Sequence, residues 1–128
     1  MSNLNELAKQ CHAKAHEKGF WDNPRETGTL LMLIVSELSE ALEADRIGNF
    51  ARIDKYERHI STMNFNKFID FDADQFKFYI KDSFEDEIAD TFIRLLDLVG
   101  HLGIDIEKHI ELKMKYNDTI LNKHGKKY

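Results

Sequence analysis

One proline and one cysteine stand in 128 residues, and each scarcity excludes something. The lone Cys11 has no partner for an internal disulfide, and no CxxC or Cys/His spacing marks a zinc fold. With Pro24 as the single proline and only six glycines, long stretches are free to be helical, and Glu, Leu, Lys and Ala fill them. No apolar run approaches the roughly 18 residues that a bilayer crossing needs, and MSNLNELAKQ lacks the apolar core of a signal peptide. A cytoplasmic protein with no membrane partner is the expectation. Basic charge is also short: 18 Lys plus Arg face 23 acids, which argues against a broad nucleic-acid surface. An acidic protein that meets a polyanionic substrate needs a divalent cation between them. Clustered carboxylates are natural ligands for magnesium.

The length suits one domain, residues 1–128, able to bury a single core. The pattern predicts an all-α chain with four main helices. The first runs from about Asn3 to Lys18 and stops at Gly19; the second runs from about Arg25 to Arg46 and stops near Gly48. The third spans about Phe84 to Leu102, with Ser83 and Asp86 as a capping pair and Gly103 just beyond its end. The fourth starts after Asp105, an N-cap type, and continues to about Asn122. Residues 47–82 hold eight of the fourteen aromatic side chains without a clean period, too apolar for a linker. One or two short helices are expected there, with Phe76 to Lys81 as a short strand or extended piece in the alternative. The segment reads as a lid or a subunit contact. The basic tail, with Lys123, Lys126 and Lys127, reads as solvated unless it meets phosphate.

The second helix places Glu37 and Glu40 three residues apart, hence on one face. At about 100° per residue, Leu30, Leu33, Ile34 and Ala41 all fall within about 60° of Glu37. Glu37 therefore lies inside the apolar sector and Glu40 at its edge. A buried carboxylate must be protonated, paired with a cation or bound to metal. The third helix repeats the spacing with Glu87 and Asp90, and Arg94, Asp97 and His101 continue that stripe. Its other faces carry Ile88, Phe92, Ile93, Leu95, Leu96, Leu98 and Val99, the composition of a central bundle helix. Either stripe alone could be a solvated or ion-paired surface. Four acids in two such pairs suit a hard divalent cation, magnesium or manganese, and no Glu is followed by His at the spacing a di-iron bundle uses. His12 and His16, four apart in HAKAH, could hold zinc, but the sequence offers no third ligand for them.

KGFWD, then LLMLIVSELSEALEADR, then FEDEIADTFIRLLDLVGHLGIDIEKHIELKMKYN, and finally HGKKY together resemble the MazG-like all-α nucleotide pyrophosphohydrolases. The likeness covers both ends and both acidic helices and omits mainly residues 47–82. It implies a four-helix-type bundle, with an irregular aromatic-rich insertion between the second and third core helices, that forms a homodimer or higher homo-oligomer. It further implies hydrolysis of a nucleoside triphosphate to the monophosphate and pyrophosphate, with Glu37, Glu40, Glu87 and Asp90 holding magnesium. Lys113, Tyr116 and Asn117 match the family's KxxYN, a phosphate and sugar contact. Lys18 and Trp21 of KGFWD are candidates for a phosphate contact and for stacking on the base, although a Trp after a helix also serves as a core plug. The pattern departs at Ile120, where related sequences often carry arginine. This departure keeps a second reading open, a catalytically weak or inactive helical protein that binds nucleotide or a partner.

Overall fold

The computed structural model describes residues 3–63, 68–120 and 127. It is all-helical: α1 (Leu4–Glu17), α2 (Thr27–Arg46), α3 (Ile53–Met63), α4 (Ala73–Tyr79), α5 (Phe84–Leu102) and α6 (Ile106–Asn117), with no strand among the described residues. None of these helices is long and apolar enough to cross a membrane.

Local chemistry sets the helix ends. Behind α2, the N–H of Asn49 reaches the carbonyl of Ala44 at 2.8 Å and that of Gly48 reaches Asp45 at 3.1 Å, a paired closure with Gly48 at φ +70°. Gly19 closes α1 in the same left-handed conformation. At the start of α5, Ser83 Oγ accepts the Asp86 N–H at 3.2 Å, as the capping pair required. The Asp86 carboxylate reaches back to the N–H of Asp82, at 2.9 Å, rather than to that of Ser83. Asp105 caps α6 by accepting the Lys108 N–H. That helix ends at Asn117, short of the expected Asn122, and residues 121–126 lie outside the described set.

The chain divides into two compact units. The first joins the chain ends, residues 1–24 with 96–128, around Ala8, Leu96 and Val99. Leu4, Cys11 and Ile106 pack against that centre. Asn5 ties the ends together: its side chain donates to Asp105 at 2.8 Å, its N–H to Glu107, and its Oδ1 accepts the Glu107 N–H. Contact between α1 and α5 is tight because position 100 has no side chain. A Cβ on Gly100 would stand 2.6 Å from the Ala8 carbonyl oxygen and 2.9 Å from His12 Cβ. The nearest atom belongs to backbone, which cannot swing away, so Gly100→Ala should destabilise the protein by about 2–3 kcal/mol. A urea melt checks this, and a wild-type midpoint would show that the helices are not held this close.

The second unit, residues 25–95, contains α2, α3, α4 and the first three turns of α5. Ile34, Glu37, Ala41 and Ala44 form the buried stripe of α2, spaced three, four and three apart. The segment 47–82 holds two short helices, as expected. Its α3 and α4 pack on each other, with Tyr56 buried and its hydroxyl accepting the Asp72 N–H at 3.2 Å. The strand alternative for Phe76 to Lys81 fails because Asp72 caps a helix there, accepting the Gln75 N–H, and Phe76 to Tyr79 are its last turn. The segment is fastened at both ends: Arg52 N–H donates to the Tyr79 carbonyl, and Phe84 N–H to the Asn49 carbonyl. Two expectations for the later helices need correction. Phe92 and Ile93 on α5 are more than half exposed, so that helix is not enclosed on all its apolar sides. Helical spacing puts Asn117 in the middle of a stripe of Ile106, Ile110, Met114 and Leu121, yet Asn117 is exposed, as is its neighbour Met114.

Candidate functional site

Three of the four expected acids converge in the second unit. Carboxylate oxygens of Glu37, Glu87 and Asp90 lie within 4.8 Å of one another. Glu37 arrives from the buried stripe of α2; Glu87 and Asp90 arrive from the first turns of α5, one helical step apart. Glu37 is 9% exposed and Glu87 5%. Glu40 stands exposed beside them, close enough to act on Glu87.

Two buried carboxylates facing one another cannot both ionise cheaply in a dry setting. Burial, then the hydrogen bond and charge of Glu40, then Glu37 and the charge of Asp90, push the Glu87 carboxyl up to about 8. Asp90 is raised as well, by burial first and then by Asp86 and Glu37, against the opposing pull of Arg94. Glu87 Oε2 is buried and has no hydrogen-bond partner. When protonated it becomes a donor toward its acidic neighbours; when ionised it needs a cation.

Arg94 is the residue that the sequence reading placed only on a stripe. Its Nε donates to Glu37 Oε1 at 2.7 Å, a charge-assisted bond with the arginine side chain 43% exposed. Its position four residues after Asp90 was the available signal, since that spacing puts the two on one face. A second acidic trio, Asp82, Asp86 and Glu87, also brings its oxygens within 4.8 Å. Its members have local work: Asp86 bonds the Asp82 N–H and Asp82 pairs with Lys81 at 2.9 Å.

The donor set suits a hard divalent ion, which prefers carboxylate oxygens, and the unpartnered Oε2 of Glu87 is the atom that such an ion would satisfy. One oxygen of Glu37, Oε1, is held by Arg94.

The remaining candidates lie in the first unit. Lys18 caps the end of α1 and is exposed. Trp21 has partners within the protein: its Nε1–H donates to Asp97 at 2.9 Å and its ring stacks on His101 at 4.0 Å between centres. Lys113 and Tyr116 sit together on α6, the ammonium 5.0 Å from the ring centre, with exposed Asn117 following. Ile120, in place of arginine, is half-buried just past α6. Of the basic tail, Lys123 and Lys126 lie outside the described residues and Lys127 is exposed. The chain matches no protein-family model, no curated protein and no solved structure.

Proposed function

We propose that the chain is a magnesium-dependent nucleoside triphosphate pyrophosphohydrolase, releasing pyrophosphate and a nucleoside monophosphate. The observation that carries this reading is the buried Oε2 of Glu87, an oxygen without a hydrogen-bond partner in a cluster with Glu37 and Asp90. Glu37, Glu87 and Asp90, with Glu40 beside them, would hold the ion. Bound there, magnesium or manganese neutralises triphosphate charge and makes water a better nucleophile. Glu40 is the acid left open to solvent and so the one placed to take a proton from the attacking water. Arg94 orients Glu37. Lys113 would stabilise the leaving pyrophosphate, Lys18 would contact a phosphate, and Tyr116, Asn117 and Trp21 the sugar and base, roles that rest on the family likeness alone.

Incubating the pure protein with a panel of triphosphates and magnesium, and resolving the products by phosphorus NMR, should show pyrophosphate and monophosphate. Orthophosphate as the first product, with pyrophosphatase excluded, would overturn the assignment. The rival reading, nucleotide binding without turnover, draws on the Glu37–Arg94 pair, which supplies part of the site's countercharge from the protein itself, and on Ile120. Binding of a triphosphate with no product would favour it.

A MazG-like bundle that forms a homo-oligomer in the cytoplasm belongs to the same proposal. On α2, Leu31, Val35, Leu38 and Leu42 are each about half exposed and recur at spacings of four, three and four, a seam suited to another helix. Phe68, Phe71 and Phe78 offer further exposed rings for a contact or a lid. Leu38→Glu should lower the mass in solution, read by light scattering, while leaving the helical signal intact. An unchanged mass would remove α2 from any subunit contact.

A further inference from the structure

The first unit brings together ligand-type side chains that the proposed reaction does not use. His12 and His16, one turn apart on α1, have ring centres 5.6 Å apart, and His101, from the last turn of α5, has its ring centre 5.4 Å from that of His12. Two imidazoles on one tetrahedral ion have ring centres about 5 Å apart, given a metal–nitrogen distance of about 2.0–2.1 Å. His101 is the third ligand that HAKAH lacks in sequence.

Asp97 lies 2.8 Å from His12, Oδ1 to Nδ1. With its proton on Nδ1, His12 donates to this carboxylate and keeps the Nε2 lone pair for a ligand. A carboxylate behind a histidine is the usual outer support of a metal-bound imidazole. Trp21 donates its Nε1–H to the same carboxylate, at 2.9 and 3.2 Å, which fixes the orientation of Asp97. The side chains of His16 and His101 are exposed and make no hydrogen bond among the described residues; the His16 ring can turn, while that of His101 is held by ring contacts with Trp21 and His12 and must leave its stack on Trp21 to reach an ion. In their present rotamers the nitrogens do not converge; among the described residues only the two acidic trios bring three ligand atoms within 4.8 Å. Cys11 is excluded from the set because it packs on the core of the unit.

We propose that His12, His16 and His101 form a binding site for a transition-metal dication of the zinc class, with Asp97 orienting His12. Imidazole nitrogen selects such ions, whereas the acid trio of carboxylate oxygens selects magnesium. The ion closes when the two exposed rings rotate onto it, and it ties α1 to the end of α5.

Zinc titration of the intact protein in excess magnesium tests this, followed by calorimetry and by the emission of Trp21, the chain's single tryptophan, which stacks on His101. One equivalent should bind and change the emission. His16→Ala and His101→Ala should each weaken zinc binding at least tenfold, and Asp97→Asn by roughly 10–100-fold. Glu87→Gln should leave the zinc isotherm unchanged, which separates this site from the acid trio. The His16 side chain is exposed and makes no hydrogen bond among the described residues, so its variant keeps the test valid if His101→Ala or Asp97→Asn fails to fold. Failure of the wild type to bind zinc, or a wild-type isotherm in His16→Ala, would overturn the proposal.

Discussion

In chelator at pH 8, Glu87→Gln is expected to melt above the wild type; in magnesium it is expected to lose turnover by orders of magnitude. The two effects have one origin. Glu87 is 5% exposed, faces three other acids and holds Oε2 without a partner. The amide keeps the shape, removes the charge and supplies an N–H donor to the surrounding carboxylates. An unsatisfied buried polar atom costs roughly 1–3 kcal/mol, so the gain should be of that order. Magnesium then loses a ligand, and its stabilising increment, RT ln(1 + [Mg]/Kd), should shrink with it. Glu37→Gln should behave differently. Its carboxylate is bonded by Arg94, so the amide forfeits a charge-assisted bond as it relieves repulsion, and in chelator it should melt below Glu87→Gln. Calorimetric melts of all three proteins, with and without magnesium, decide this. A Glu87→Gln variant that melts below the wild type in chelator would show Glu87 to be a structural partner rather than a cation ligand.

The second large effect is on the pH dependence of the metal-free protein. Folding raises the Glu87 carboxyl from the ordinary 4.5 to about 8 and raises Asp90 in the same direction. The folded state therefore binds more protons than the unfolded chain across that interval, and stability falls as pH rises. This contribution is fully present below about 4.5 and lost as pH passes through about 8, a change on the order of a few kcal/mol. Asp105 and Glu111 are lowered, chiefly by hydrogen bonds from Asn5 and Lys115. Their contribution has the opposite sign and is lost below the usual carboxylate range, outside this window. Urea melts in chelator from pH 5 to 8.5 should show the decline, and saturating magnesium should flatten it. Stability that rises over this range without metal would mean that Glu87 is ionised and paired.

The parts of this molecule legible from sequence are those set by local rules. Gly19 and Gly48 stop helices, Ser83 and Asp105 cap them, and the angular position of Glu37 among Ile34 and Ala41 places it in the buried stripe of α2. The convergence of Glu37 with Glu87 and Asp90 followed from two like-spaced pairs on two amphipathic helices. What stayed hidden depends on tertiary contact. Nothing local states that Arg94 reaches Glu37 across 57 residues, or that Asp97 serves both His12 and Trp21. The helices at 53–63 and 73–79 were blurred because their aromatic residues follow no single period; their mutual packing and the ties of Arg52 and Asn49 hold them. Asn117 was misplaced because a stripe drawn through Met114 assumed a covering neighbour, and both residues are exposed.

The clamp of Asn5 on Asp105 and Glu107 bears on how the chain is made. These partners are 100 and 102 positions apart, so α1 leaves the ribosome well before α6 and waits for it before its unit can close. Residues 25–95 form an uninterrupted stretch and can assemble while the remainder is still being synthesised. The acid trio can therefore form before α1 meets α6. Closing the ends is a loop of high contact order, and it should set the slow step of refolding. In the interval, the apolar side of α1, with Leu4, Ala8 and Cys11, is uncovered, and this is when the young chain is most exposed to a chaperone or to aggregation.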